Sequence, residues 1–212
     1  MINQFCTMIR FERLIFKLLF GLAIPVLCFL VSWWTTLIFT QNEKIIMVVS
    51  LSGLCLGLLI DFLIILFFKP DIFKLSKPVV VITYLFYNTW LFGFFMGVPV
   101  FHLALGIIAG FYWVKRLIYQ NEIKDYKREI HRTSIFTSTV TGVVCLFSAV
   151  IALISKSTPS DLKGMFHLQF EISQTLLLSV IIAGGLVLII TQYYLTRATM
   201  ILTLKFGKAD LS

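Results

Sequence analysis

One acidic residue lies well inside an apolar stretch, and its side chain has the most evident capacity for chemistry. Asp61 follows Gly57 by four residues and Gly53 by eight, so the three share one face of a helix. Glycines let helices approach closely, which turns that face toward protein. A carboxyl group near the membrane midplane costs about 2.5–3.5 kcal/mol on insertion scales, and such groups usually pair or line a polar path. Asp61 is therefore a candidate contact for a solute or an ion.

Three more polar residues are predicted at a depth similar to that of Asp61. Counted from the basic end of each apolar run, Asp61 and Thr141 lie about 12 Å deep and Asn88 about 15 Å deep. Tyr84 lies one helical turn from Asn88, on the same side. These four residues can form one polar layer that contacts a substrate or an ion. The alternative is that Asp61 is protonated or hydrogen-bonded and serves only packing.

A second polar group is predicted near the opposite membrane face. It combines a histidine at the start of the fourth apolar run with residues that precede or open the last one. Such residues either form an outer-face cluster or are simply solvated at the membrane boundary. The members are His102, His167, Glu171 and Gln174.

The chain lacks the motifs that mark common membrane enzymes and ATPases. It contains no G-x-S-x-G serine elbow, no H-E-x-x-H zinc helix and no Walker A loop. Its four cysteines show no metal-ligand spacing, and bis-histidine haem ligation is not expected from three histidines. We therefore predict no catalytic residue, no metal and no cofactor.

The amino-acid composition indicates whether the chain lies in water or in lipid. Of 212 residues, 59% are hydrophobic and 13% are charged, and the mean hydropathy is +0.96. Soluble domains carry about 25% charged residues. The chain is therefore predicted to be an all-α polytopic membrane protein, with the lipid bilayer as its first partner.

Long apolar runs predict a bundle of about six transmembrane helices in one transmembrane domain, residues 1–212. One crossing needs roughly 20 apolar residues. A double-length run after Lys77-Pro78 is divided at Gly97-Val98-Pro99, the only breaker near its middle. The predicted spans are about 16–40, 45–68, 79–97, 99–116, 133–155 and 173–196.

The distribution of basic residues predicts the orientation of this bundle. With six spans, fifteen of the 18 Lys and Arg residues fall on one side. The positive-inside rule makes that side cytoplasmic, so both the N-terminus and the C-terminus are expected in the cytoplasm. This bias also explains the net charge of +8, and no nucleic-acid partner is needed.

Two segments are expected outside the hydrocarbon core. Residues 117–132 form an amphipathic cytoplasmic connector, with Tyr119, Ile123, Tyr126 and Ile130 at helical spacing. This connector is either solvated or a docking site for a protein partner. Residues 157–171 are predicted to form an external interfacial segment.

Glycines at helical spacing predict where the helices pack. Three G-x-x-x-G pairs occur, and one more glycine lies on a small-residue stripe of the fifth span. The predicted packing positions are Gly53, Gly57, Gly93, Gly97, Gly106, Gly110 and Gly142.

These features favour a small-solute transporter, or a transporter subunit, with a polar layer around Asp61. In length and topology alone the chain resembles the substrate-binding subunits of bacterial vitamin importers, but the alanine motif of their first helix is absent from residues 16–40. We accordingly expect a multi-pass protein of a bacterial or archaeal cell membrane. One alternative is a non-catalytic membrane partner or assembly subunit. Another is a membrane enzyme acting on a lipid substrate, built on His102, His167 and Glu171.

Overall fold

The chain folds into α-helices in a computed structural model that describes residues 2–68, 71–95, 98–120, 125–155, 158, 160, 164 and 173–209. The described residues contain no β-strand. Short 3-10 turns precede α3 and α4, at Ile72–Lys74 and Pro99–Phe101. The α-helices are α1 Ile2–Phe39, α2 Glu43–Phe68, α3 Lys77–Phe94, α4 His102–Tyr119, α5 Tyr126–Ile154 and α6 Gln174–Ala209.

Five of these helices are long and apolar enough to cross a membrane. The fold is therefore that of an all-α polytopic membrane protein, as predicted. The helix α3 has 18 residues and is not among the five, so its crossing stays a prediction. The candidate spans are Leu14–Phe39, Glu43–Phe67, Pro99–Tyr119, Tyr126–Ile154 and Gln174–Phe206.

The helices extend beyond the apolar runs that predict them. The first predicted span starts near residue 16 and the last ends near 196, whereas α1 starts at Ile2 and α6 continues to Ala209. An apolar run marks the part of a helix in hydrocarbon, and backbone hydrogen bonding continues past it. Of the segment 117–132, residues 117–119 end α4 and residues 126–132 begin α5, whereas residues 121–124 lie outside the described part of the chain. The segment 157–171 lies outside the described residues, apart from residues 158, 160 and 164.

The chain divides into two compact units, Met1–Thr83 and Tyr84–Ser212. The first unit is a hairpin of α1 and α2, which pack against each other. Three residues connect them, and the Asn42 Oδ1 accepts the Lys44 backbone N–H at 3.1 Å to cap the start of α2. After α2, the chain returns to α1, where the rings of Phe16 and Phe73 meet edge to face at 6.0 Å.

The two helices of the hairpin approach each other closely at two glycines of α2. A methyl group at Gly57 would lie 2.5 Å from the Pro25 Cα, and one at Gly53 would lie 2.8 Å from the Cys28 carbonyl oxygen. Both contacts are with backbone atoms of α1. The two helices therefore approach as closely as main chains allow, which is the usual effect of small residues between membrane helices.

The second unit is organised around α4, α5 and α6, and α6 packs against both other helices. An apolar cluster of Val114, Ile130, Met200 and Leu204 lies at one end, with Tyr126 packed against it. Ile130 is 6% exposed. Thus two residues of the predicted amphipathic connector contact the core of their own unit: Ile130 belongs to the apolar cluster, and the partly buried Tyr126 packs against it.

A buried polar cluster as candidate functional site

A buried polar cluster occupies the helix faces that meet in the second unit. On α6, Gln192 and Thr196 share a face with Met200 of the apolar cluster at four-residue spacing. The face of α5 presents Ser134, Thr137 and Thr141. All five of these polar side chains have no exposed surface. The contact between these helices is therefore apolar at the cluster that contains Met200 and polar in the part that precedes it along α6.

Two glycines of α4 make room for these side chains. A methyl group at Gly106 would overlap the amide of Gln192 and lie 2.8 Å from the Thr196 Oγ1. One at Gly110 would lie 3.0 Å from the Thr196 carbonyl oxygen. The predicted packing role of this glycine pair thus has a definite partner, the polar face of α6.

Gln192 is the most conspicuous member of the cluster. Its side chain is fully buried, and neither its Nε2 nor its Oε1 has a hydrogen-bond partner among the described residues. Gln192 lies half-way along α6, which continues to Ala209. The available sequence signal was the spacing of Gln192, Thr196 and Met200.

His102 and Asn88 extend the cluster at the beginning of α4. The His102 Nε2 lies 3.0 Å from the backbone carbonyl oxygen of Asn88, which only accepts, so Nε2 carries the proton. The Asn88 amide Nδ2 donates to the Tyr84 carbonyl oxygen at 2.8 Å. The His102 Nδ1 and the Asn88 Oδ1 are buried without partners in the described part of the chain. The sequence predicted Asn88 in the polar layer around Asp61 and His102 in the outer-face cluster, whereas their hydrogen bond brings them together.

Hydroxyl groups link α5 to α6 within the cluster. The Thr137 and Thr196 Oγ1 atoms are 3.0 Å apart, and the Thr137 hydroxyl also lies 3.1 Å from the Ser134 carbonyl oxygen. Since Thr137 has one proton and the carbonyl only accepts, Thr196 donates to Thr137. The hydroxyls of Ser134 and Thr141 have no partner among the described residues.

The cluster has the chemistry to hold a neutral polar molecule. Each buried donor or acceptor without a partner destabilises a fold by about 1–3 kcal/mol. A ligand that donates and accepts hydrogen bonds removes that penalty. The side chains named above are amides, hydroxyls and one imidazole, and none carries a fixed charge, so a neutral ligand suits them better than an ion.

Asp61 belongs to the first unit, where it lies beside Gly21 of α1. A methyl group at Gly21 would come 2.7 Å from the Asp61 Oδ2. The carboxyl is half-buried and makes no ion pair among the described residues. Pro25, four residues after Gly21, has no amide proton, so the Gly21 carbonyl receives no donor from that position of the helix. The acid thus lies beside an interruption in the hydrogen bonding of α1.

The other predicted site residues are distributed as follows. Thr141, Tyr84 and Asn88 lie in the second unit, where the Tyr84 ring packs on Phe136 at 5.5 Å. Gln174 is exposed at the start of α6. His167 and Glu171 lie outside the described residues.

The remaining predicted packing glycines differ in their surroundings. A methyl group at Gly142 would lie 3.5 Å from the Ile189 Cδ1, so this glycine faces α6. Gly93 has nothing within 4 Å of such a group. Gly97 lies outside the described residues.

Sequence analysis did not single out a polar group at the inner end of α4. The Trp113 Nε1 donates to the Glu129 Oε2 at 3.0 Å, and the buried guanidinium of Arg116 lies 5.3 Å from the Trp113 ring centroid. Arg116 counted there only as a basic residue for orientation. Its burial depends on the approach of α5, which local sequence does not show.

The described residues contain no group of three or more His, Cys, Asp and Glu side chains that could hold a metal ion. Comparison with protein-family models, with curated proteins and with solved structures gives no match to this chain. The geometry of the second unit and the chemistry of its buried side chains therefore give the best indication of function.

Proposed function

We propose that this integral membrane protein is a transporter, or a transporter subunit, for a small neutral polar solute. The observation that carries the proposal is the set of buried, unpaired hydrogen-bonding atoms on Asn88, His102, Thr141 and Gln192. Polar groups within membrane helices usually face a bundle interior or a polar path rather than lipid. A solute that enters the cluster gives up its hydrogen bonds to water and forms hydrogen bonds to these side chains instead.

Hydrogen-bonding capacity defines the class of solute. The Gln192 amide offers two N–H donors and an acceptor, Thr141 a hydroxyl, and the His102 Nδ1 an acceptor. Polyols, amides and similar molecules match this mixture. A carboxylate or an ammonium ion would enter without a counter-charge among these side chains, which is strongly unfavourable in a medium of low dielectric constant.

The test is solute entry into proteoliposomes that contain the full chain. Stopped-flow light scattering follows vesicle volume with glycerol or urea as the probe and acetate as the charged comparison. We expect faster entry of a neutral probe than in protein-free liposomes, and a loss of about tenfold in Gln192→Leu, because one lost hydrogen bond is worth about 1.4 kcal/mol. The exposed Gln174→Leu in the same helix is the matched control and should keep the original rate. Equal rates in Gln192→Leu and the unmodified protein would contradict the site.

Asp61 stays in the proposal as a solute or proton contact of the first unit. Its carboxyl is half-buried beside Gly21 and is free of ion pairs in the described residues. We expect Asp61→Asn to slow entry of the same probe, whereas Glu43→Gln, at the start of the same helix, should not. Unchanged entry in a normally folded Asp61→Asn protein would leave Asp61 a packing residue only.

A further inference from the structure

A cavity of about 570 Å³ lies between the start of α5 and the second half of α6, within the second unit. Its polar lining residues are Lys127, His131, Arg197 and the two tyrosines Tyr126 and Tyr193. None of the described residues that line it is acidic. The cavity therefore offers positive charge and hydrogen-bond donors at one end of the bundle.

The described residues around this cavity do not neutralise its positive charge. Lys127 and Arg197 are exposed, and neither makes an ion pair in the part of the chain that the structure describes. Glu129, on the same helix, is already engaged by the Trp113 indole at 3.0 Å and by Arg132 at 3.8 Å. Two fixed charges and a titratable imidazole thus favour an anionic occupant.

An apolar groove of about 720 Å³ continues from the cavity between the same two helices. Tyr193 lines both spaces, and its hydroxyl lies 3.1 Å from the His131 Nδ1, which orients both side chains where the spaces meet. Half of the residues that line the groove are aliphatic, including Val143, Leu146 and Ile189, and its exposed lining is mostly apolar. The groove therefore suits an apolar occupant.

The length of the groove matches one half of a bilayer. On α5 its lining runs from Ile135 to Leu146, which corresponds to about 16 Å of helix. One leaflet of the hydrocarbon core is about 15 Å thick. A chain that starts at the basic cavity and follows the groove thus ends near the bilayer midplane.

We propose that this cavity and groove bind an anionic phospholipid. Lys127 and Arg197 hold its phosphate, His131 and Tyr193 hydrogen-bond the headgroup, and one acyl chain lies in the groove. Basic pockets between helices on the cytoplasmic side are suited to anionic headgroups, and this end of the bundle carries most of the basic residues. The polar cluster that motivates the transport proposal is a different set of side chains, so the two proposals fail independently.

Lipid binding to the purified full chain in neutral detergent tests the proposal. Native mass spectrometry compares phosphatidylglycerol with phosphatidylcholine of identical acyl chains. We expect tighter binding of phosphatidylglycerol, and about a thirtyfold loss in the double variant Lys127→Gln/Arg197→Gln, since each basic group near a membrane surface contributes about 1 kcal/mol. The matched control is Arg128→Gln/Lys205→Gln, which removes two exposed charges from the same helices outside the cavity.

The groove has its own test. Thr139→Trp places a large ring in the groove from an exposed position. We expect weaker binding of long-chain phosphatidylglycerol and unchanged binding of its short-chain analogue. Equal losses in the two double variants would show general electrostatic attraction and overturn the site. Displacement of the lipid by millimolar inorganic phosphate would assign the cavity to free phosphate and overturn the lipid proposal.

Discussion

Gly57 in the first unit and Gly106 in the second make close contacts of different kinds. In the first unit Gly57 and Gly53 approach the backbone of α1, at the Pro25 Cα and the Cys28 carbonyl. In the second unit Gly106 approaches a side chain, the buried amide of Gln192. The contacts at Gly57 and Gly53 let two main chains pack directly against each other, whereas the contact at Gly106 leaves space for a polar side chain. A short distance from a glycine to a backbone atom thus differs in its consequence from an equally short distance to a side-chain atom.

The largest predicted effect is that of Gly57→Ala. The added methyl group would lie 2.5 Å from the Pro25 Cα and 3.1 Å from the Cys28 Cβ, and the backbone of α1 has no local way to withdraw. We expect a loss of about 3 kcal/mol in the free energy of unfolding, at the upper end for overpacked sites. Unfolding by SDS in detergent micelles, with Cys28 thiol labelling as the local probe, measures it. A smaller loss of unfolding free energy in Gly57→Ala than in Gly106→Ala would contradict the distinction between backbone and side-chain contacts.

A smaller loss is expected for Gly106→Ala, although its methyl group would meet its neighbour more closely. The neighbour is the end of a flexible Gln192 side chain, which can rotate away. We expect about 1–2 kcal/mol of destabilisation in the same SDS titration. Labelling of Cys145, the described cysteine of the second unit, should accelerate in this variant, while labelling of Cys28 should not.

The hydroxyl pair of the second unit predicts a loss of about 1 kcal/mol for Thr137→Val, the typical net value of one hydrogen bond. The substitution keeps the shape of the side chain but leaves the Thr196 hydroxyl without its acceptor at 3.0 Å. The double variant with Thr196→Val should recover part of the loss, since no polar atom of the pair is then stranded. Purely additive losses in this double-mutant cycle would show that the hydrogen bond contributes nothing.

The smallest effect is predicted for Gly93→Ala on α3. None of the described residues lies within 4 Å of the added methyl group, so no contact with them opposes it. Because alanine favours helix over glycine, we expect stabilisation by about 0.5–1 kcal/mol. The SDS midpoint is the measurement, and clear destabilisation would reveal a partner that packs on this face.

Sequence predicts the helices better than their contacts. Apolar runs locate the long helices because a membrane crossing demands a minimum length. The three-residue connection between α1 and α2 makes them antiparallel neighbours, so the contact of Gly53 and Gly57 with α1 follows from local information. The helix partner of Gly106 does not, because α6 follows nearly seventy residues later, as the chain numbering shows.

The candidate site was only partly accessible from sequence. Asp61, Asn88 and Thr141 stand out as polar residues in apolar runs, and depth alone suggested one layer for them. Depth does not determine which helices are neighbours, and the structure puts Asp61 in a different unit from the other two. Gln192 was not singled out, because its burial depends on the approach of α4, which local sequence does not show. The pairing of His102 with Asn88 likewise depends on how α3 and α4 approach each other.

Pro25 and Asp61 meet at Gly21, which bears on how these two positions can change in evolution. The proline leaves the Gly21 carbonyl without its usual helical donor, and Asp61 brings a carboxyl group to the same glycine. Pro25, from within α1, and Asp61, from the neighbouring helix, thus both act on the surroundings of Gly21. We expect related proteins to keep Pro25 and Asp61 together or to lose them together, as one unit of selection.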